Sequence, residues 1–260
     1  MPIITLTTDF GSTDSYVAQM KGVILGINSQ VQIVDVTHAI PPQNVARGAV
    51  VLCEVSRAFP AGTIHIAVID PGVGSNRALL AVEAAGQRFL APDNGLLYPM
   101  LRSFPVERVH CIETDRFWRK PVSATFQGRD ILAPVAAHWS RGIDIAEFGP
   151  AFDVTNLIEL PASEPRRVGR ALVGQVESVD AFGNLITNIR DSELPSGDRR
   201  GLSISIDEVR ITGISHSYSD QPAGSRVALI GSSGRLEIAI NQGSAAAILA
   251  VGPGTEVRIE

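Results

Sequence analysis

Only two cysteines occur in the 260 residues, Cys53 and Cys111. They lie far apart, in no metal-like or redox-like spacing. The simplest reading is two reduced thiols in a cytoplasmic protein, with a disulfide between them left open. Basic charge is not in excess either. The 22 Lys and Arg against 27 Asp and Glu give a formal net charge of −5, which offers no field to gather phosphates and argues against nucleic acid or an acidic membrane surface as main partner. The start, Met1-Pro2-Ile3-Ile4-Thr5-Leu6-Thr7-Thr8, lacks a basic stretch and a long apolar stretch and does not read as a signal peptide. No apolar run approaches a membrane span. Internal repeats and low-complexity tracts are absent as well.

What is present is a soluble composition, 45% apolar, in a chain long enough for one large domain or two modest ones. The first part alternates strand-like and helix-like segments. Strands are expected at Ile3 to Thr8, Gln32 to Val36, Thr63 to Ile69, Leu79 to Val82 and Arg88 to Leu90. Helices are expected from about Ser15 to Ile27, Pro42 to Ala58, shortly after Asn94-Gly95, and about Asp130 to Trp139. Such alternation points to an α/β domain, a mainly parallel sheet covered by helices. Two prolines and polar residues in Leu160-Pro161-Ala162-Ser163-Glu164-Pro165 read as a linker.

Beyond the linker the pattern is all-β: Ala171 to Val179, Leu185 to Ile189, Leu202 to Ile206, Arg226 to Ile230, Leu236 to Ile240, Ala246 to Val251 and Glu256 to Ile259. Gly, Asp and Ser turns separate these runs, as in a small barrel or sandwich. The expected domains are residues 1–162 and 168–260.

Three acidic residues stand at or near expected strand ends: Asp9, Asp35 and Asp70. Asp70 opens the loop Asp70-Pro71-Gly72-Val73-Gly74-Ser75-Asn76-Arg77, which also carries a guanidinium. Open α/β sheets bind ligands at that edge, and glycines admit close backbone approach; a solvated glycine-rich turn is the plain alternative. Asp9 sits in Thr8-Asp9-Phe10-Gly11-Ser12-Thr13-Asp14, where carboxylates can take sugar hydroxyls or a cation, and Asp14 equally suits a helix N-terminus. Asp35 with His38 leaves a metallohydrolase open as an alternative, although the spacing is not diagnostic. Gly72 to Arg77 half-matches a dinucleotide fingerprint, but Arg77 replaces the third glycine and a strand follows, so that reading fails.

The loops Ala91 to Leu97 and Thr125-Phe126-Gln127-Gly128-Arg129-Asp130 also fit plain turns and helix caps. In the β part, Asp180-Ala181-Phe182-Gly183-Asn184 and Gly231-Ser232-Ser233-Gly234 are each weak signals. Together they could form a pocket for a heteroaromatic ring and a charged end group.

In their order, TDFGSTDSYVAQMKG, VDVTHAIPP, IDPGVGSNR, APDNGLL, TFQGRD, DAFGNLITNI and IGSSGRLEIAIN, these segments make the chain resemble the adenosine-forming S-adenosyl-L-methionine (SAM) hydrolases. These are also called SAM hydroxide adenosyltransferases and are relatives of the fluorinases and chlorinases. The resemblance covers nearly the whole length and implies an N-terminal α/β domain with a C-terminal β-barrel. It also implies a homotrimer with SAM bound between neighbouring subunits. By motif position, Asp9 would take the ribose hydroxyls, and Asp14, Asp180, Ser232 and Ser233 the methionine end. Asn184 and the Asn241-Gln242 backbone would address adenine, with Phe182 and Tyr218 as walls.

The implied reaction is attack of water or hydroxide on C5′, releasing adenosine and L-methionine, with Asp70, Arg77 and Gln127 as the catalytic set. It implies no metal and no cofactor, SAM being the substrate. The hydrolases carry a histidine in a TFHGRD-like motif where Gln127 stands, and glutamine cannot take a proton, so slowed hydrolysis is expected. Lapsed catalysis in a SAM- or adenosine-binding protein is the non-enzymatic alternative. Halogenating relatives would differ by an insertion between Arg77 and Ala91, an aromatic at Gln43 and halide-pocket residues at Asp70.

Overall fold

Two neighbouring strands, β1 (Ile3–Thr8) and the fully buried β3 (Ile64–Val68), form the heart of the first sheet. The other strands are β2 (Gln32–Thr37), β4 (Leu79–Ala84), β5 (Gln87–Pro92) and β6 (Val106–Cys111), in the order β2-β1-β3-β5-β4-β6. Pairings among β2, β1, β3 and β5 are parallel, and those of β4 with β5 and β6 antiparallel. The computed structural model describes residues 1–160 and 164–260, so Pro161, Ala162 and Ser163 of the expected linker lie outside the described residues. Contacts divide the chain into two units, Met1–Leu160 and Pro161–Glu260.

The period of two along a strand sends alternate residues to two separate cores. Ile64, Ile66 and Val68 join one cluster with Met20 and Ile24 of α1 (Tyr16–Ile27) and Val135, Ala136 and Trp139 of α4 (Ala133–Ser140). Ala67 and Ile69 join the other, with Ala49 and Leu52 of α2 (Val45–Ser56) and Met100 of α3 (Tyr98–Ser103). Helix α2 starts later than expected, because Gln43 has a left-handed φ of 65° and Asn44 caps the helix by accepting from the Arg47 N–H at 2.9 Å. Gly48 lets α2 approach the sheet, since a Cβ there would meet Ile69 Cδ1 at 2.8 Å.

His65 is a satisfied core histidine, accepting from Thr5 Oγ1 at 2.8 Å and donating to Gln87 Oε1 at 2.6 Å. Burial pushes it down to about 4, against the opposing bond to Gln87. It is therefore neutral at pH 7. Both cysteines are free thiols, which closes the disulfide left open by the sequence.

The second unit contains β7 (Arg166–Val168), β8 (Ala171–Val179), β9 (Leu185–Arg190), β10 (Ser203–Ile206), β11 (Val209–Thr212), β12 (Arg226–Ile230), β13 (Arg235–Ile240) and β14 (Glu256–Ile259). All its strand pairings are antiparallel, in the order β11-β10-β14-β8-β9-β13-β12 with β7 on β8. Ser215, just past β11, donates its N–H to Ala228 O of β12 at 2.7 Å, so the sheet nearly closes as a barrel. One expected strand is wrong. Ala246 to Val251 falls on helix α5 (Ala245–Leu249), where Ser244 caps the Ala247 N–H and alanines favour helix over strand. Strands β6, β7 and β11 escaped the sequence reading.

The expected helix from Asp130 also differs in kind. Residues Gly128–Leu132 form a π-helical turn, in which the Ala133 N–H reaches back to Gly128 O, and α4 continues from it. Pro134 lacks the N–H that would bond Asp130 O. That carbonyl instead accepts from the Arg119 N–H at 2.8 Å.

Candidate active site

Parallel pairing brings the C-terminal ends of β2, β1 and β3 side by side, where open α/β sheets place their sites. Asp9 leaves β1 and accepts from the Gln43 N–H at 2.8 Å. His38 follows β2, with Nδ1 2.9 Å from Thr8 Oγ1 and Nε2 3.0 Å from Asp35 Oδ1. Asp35 lies within β2 rather than at its end, and its carboxylate also takes Lys21. Burial works to raise the Asp35 carboxyl, but the bonds from Lys21 and His38 outweigh it and hold it below the usual range. His38 Nε2 makes no well-aligned hydrogen bond among the described residues, despite its 3.0 Å approach to Asp35 Oδ1. Among the described residues no group of three or more His, Cys, Asp or Glu is placed to hold a metal.

The Asp70 loop folds back on itself through Val73 N–H to Asp70 O (3.2 Å) and Ser75 N–H to Gly72 O (3.1 Å). Gly74 is required there, because its φ is 85° and a Cβ would sit 2.9 Å from Ala124 O. Arg77 is thereby returned to Asp70 as a forked pair, Nε donating to Oδ1 at 2.7 Å and Nη2 to Oδ2. The two side chains are only 6% and 7% exposed. Arg77 Nη2 also donates to Gln127 Oε1 at 2.7 Å. Guanidinium is donor-only, so this bond fixes the amide orientation and leaves Gln127 Nε2 as the donor on the other side.

Arg77 Nη1 is buried with no protein partner among the described residues. Asp9, Phe10, Gln43, Asp70, Phe126 and Gln127 share the wall of a cavity of about 320 Å³. Asp14 does not join them; it is exposed on the loop before α1.

The π-turn that presents Gln127 is anchored on Asp130, whose side chain is 0% exposed. Asp130 accepts from Arg129 Nε (2.7 Å) and Nη2 (2.8 Å), Arg119 Nη1 (3.0 Å) and the Ser123 N–H (2.9 Å). Burial raises this carboxyl, yet the bonds from Arg129, Ser123 and Arg119 prevail and keep it below the usual carboxylate range.

The second unit has its own cavity, of about 860 Å³, walled by Asp180, Phe182, Asn184, Tyr218, Ser232, Asn241 and Gln242 among others. Asp180 is occupied in its own turn, accepting from the Phe182 N–H, the Asn184 N–H and Asn184 Nδ2 at 2.8–2.9 Å. Phe182 is 80% exposed. The Asn241 N–H donates to Ser225 O and its carbonyl accepts the Gly224 N–H, and Gln242 beside it has a left-handed φ of 58°. Ser233 is not on the cavity wall, and its Oγ is buried without a protein partner among the described residues. The sequence reading missed Glu237 and His216, which line the same cavity. A lone carboxylate inside the apolar run Leu236-Glu237-Ile238-Ala239-Ile240 was the available signal.

The N-terminal domain model of SAM hydroxide adenosyltransferases matches residues 4–149, and the C-terminal domain model residues 174–258. The chain belongs to the SAM hydroxide adenosyltransferase family. This family member is 36% identical over 259 residues to a protein of Salinispora tropica named (R)-S-adenosyl-L-methionine hydrolase, covering 99% of this chain and 97% of that one. A Thermus thermophilus protein of the same name is 35% identical over 260 residues, covering 97% of each. A Nocardia brasiliensis fluorinase is 28% identical, but over 290 aligned positions against the 260 residues here. The crystal structure of an uncharacterized conserved protein from Thermotoga maritima superposes with a TM-score of 0.92 at 32% identity, covering 100% of this chain and 99% of that one.

Proposed function

We propose that this SAM hydroxide adenosyltransferase hydrolyses SAM at C5′ of the ribose. Water or hydroxide forms the new C5′–O bond as the C5′–S bond breaks; L-methionine leaves as a neutral thioether, adenosine remains, and one proton is released. The carrying observation is the hydrogen-bonded Asp70–Arg77–Gln127 set, whose Asp70 and Gln127 line one cavity with Asp9 while Arg77 backs them. A sulfonium leaves readily without acid help, so the demand is an oriented, deprotonated nucleophile. Asp70 orients the water and accepts its proton, while the Arg77 guanidinium and the Gln127 Nε2 donor stabilise developing hydroxide.

The fluorinase alignment exceeds this chain's length, whereas the hydrolase alignments run to 259 and 260 positions. That supports hydrolysis over halogenation. Asp9 is assigned to the ribose hydroxyls, and the second unit's cavity to the adenosyl and methionine ends. The assembly proposed is a homotrimer whose sites draw on neighbouring subunits; a monomer by light scattering that still turned over SAM would remove it.

Chromatography of SAM incubations with chloride present tests the activity. Adenosine in proportion to enzyme is expected, unaffected by chelator. 5′-Chloro-5′-deoxyadenosine would overturn the assignment, and SAM-dependent thermal stabilisation without product would favour a binding protein. Gln127→His is expected to raise the single-turnover rate by roughly tenfold or more, because imidazole adds a group able to take a proton near neutral pH. An unchanged rate would remove position 127 from the account of slowed chemistry.

A further inference from the structure

The larger cavity contains a buried group for which the reaction has so far had no use. Glu237 is 6% exposed in β13 and accepts from the Tyr218 hydroxyl at 2.7 Å. On its other side lies the Gly231–Gly234 turn, which is so close that a Cβ on Gly231 would collide with the Glu237 carboxylate. Tyr218, Gly231, Ser232 and Glu237 all face one cavity. Burial first, then the Glu237 bond and the Glu237 and Asp180 charges, push the Tyr218 hydroxyl above its usual range. The phenol therefore keeps its proton and donates it to the Glu237 carboxyl.

We infer that Glu237 is a positioning residue for nucleoside binding, holding the Tyr218 ring and the Gly231–Gly234 turn at one fixed spacing across the cavity. This rests on the proposed SAM reading. Tyr218 is 39% exposed and sits on a short 3₁₀ turn, so burial restrains the ring only in part and leaves it some freedom. The carboxylate removes that freedom before the ligand arrives, which lowers the cost of binding. Because Glu237 lies outside the cavity that holds Asp70, it acts on affinity rather than on the chemical step.

The test compares Glu237→Ala, Glu237→Gln and Tyr218→Phe by calorimetric titration with adenosine, steady-state kinetics with SAM and thermal melts. Glu237→Ala should weaken adenosine binding and raise KM by about tenfold, with kcat within about twofold of wild type. Glu237→Gln, which keeps an acceptor, should restore most of that affinity. Glu237→Ala combined with Tyr218→Phe should be no weaker than Glu237→Ala alone, since both break one bond. A lowered melting temperature with unchanged adenosine affinity and KM would overturn the inference, as would additive losses in the double variant. Wild-type protein that binds adenosine without hydrolysing SAM would refute the hydrolase reading alone, with the affinity series still judging Glu237. Wild-type protein that binds neither would overturn both.

Discussion

Asp70→Asn is expected to lower single-turnover adenosine formation by about 10²–10⁴-fold, the usual contribution of a positioned general base. The substitution keeps the volume and one acceptor for Arg77 Nε, but it removes the carboxylate that takes the proton from water. It also turns an amide donor toward Arg77 Nη2, which now donates to Asp70 Oδ2 and to Gln127 Oε1. Gln127 then loses its fixed orientation, so the two losses are coupled and should not add with those of Gln127 variants. With Asp9 unaltered, adenosine affinity should change little. A thermal melt separates the chemical effect from the cost of leaving a guanidinium 6% exposed without its counter-charge. A rate within twofold of wild type would show that the buried pair is structural.

Asp130→Ala should be the most destabilising of the substitutions considered, by about 3–5 kcal/mol, the range for removing one partner of a buried ion pair. Asp130 is fully buried and takes four hydrogen bonds, from Arg129, Arg119 and Ser123. Its folded carboxyl is held below the ordinary range, so its contribution is complete above the unfolded pKa of about 3.9 and fades as pH falls through the lower folded value. Denaturant titrations at pH 7 and below pH 4 should therefore show the gap between wild type and variant narrowing with acid. A constant gap would mean that the charge plays no part. Since the same carboxylate anchors the turn that presents Gln127, activity should fall along with stability.

The three-layer order of the first unit was legible because each strand advertises its period: Ile64, Ile66 and Val68 against Ala67 and Ile69. The Asp70 to Arg77 loop also stood out, as an acid at a strand end followed by two glycines and an arginine, and the structure pairs that acid with that arginine. Asp14, assigned to the methionine end by motif position, stands exposed before α1 and lines neither the cavity that holds Asp70 nor the larger one. The Ala246 to Val251 run was misread since apolar residues of this length fit either a strand or a helix, and the Ser244 cap decided it.

The sequence by itself determined the alternation of strands and helices, the shift to an all-β second part and the family to which the ordered motifs belong. Those properties are local or additive along the chain. Tertiary structure decided which polar groups meet: Arg77 with Asp70 and Gln127, Asp130 with Arg119 across a carbonyl that Pro134 leaves available, and Tyr218 with Glu237. Partners 7 to 50 residues apart are brought to hydrogen-bond distance only by strand register and loop closure. No periodicity in the chain records that.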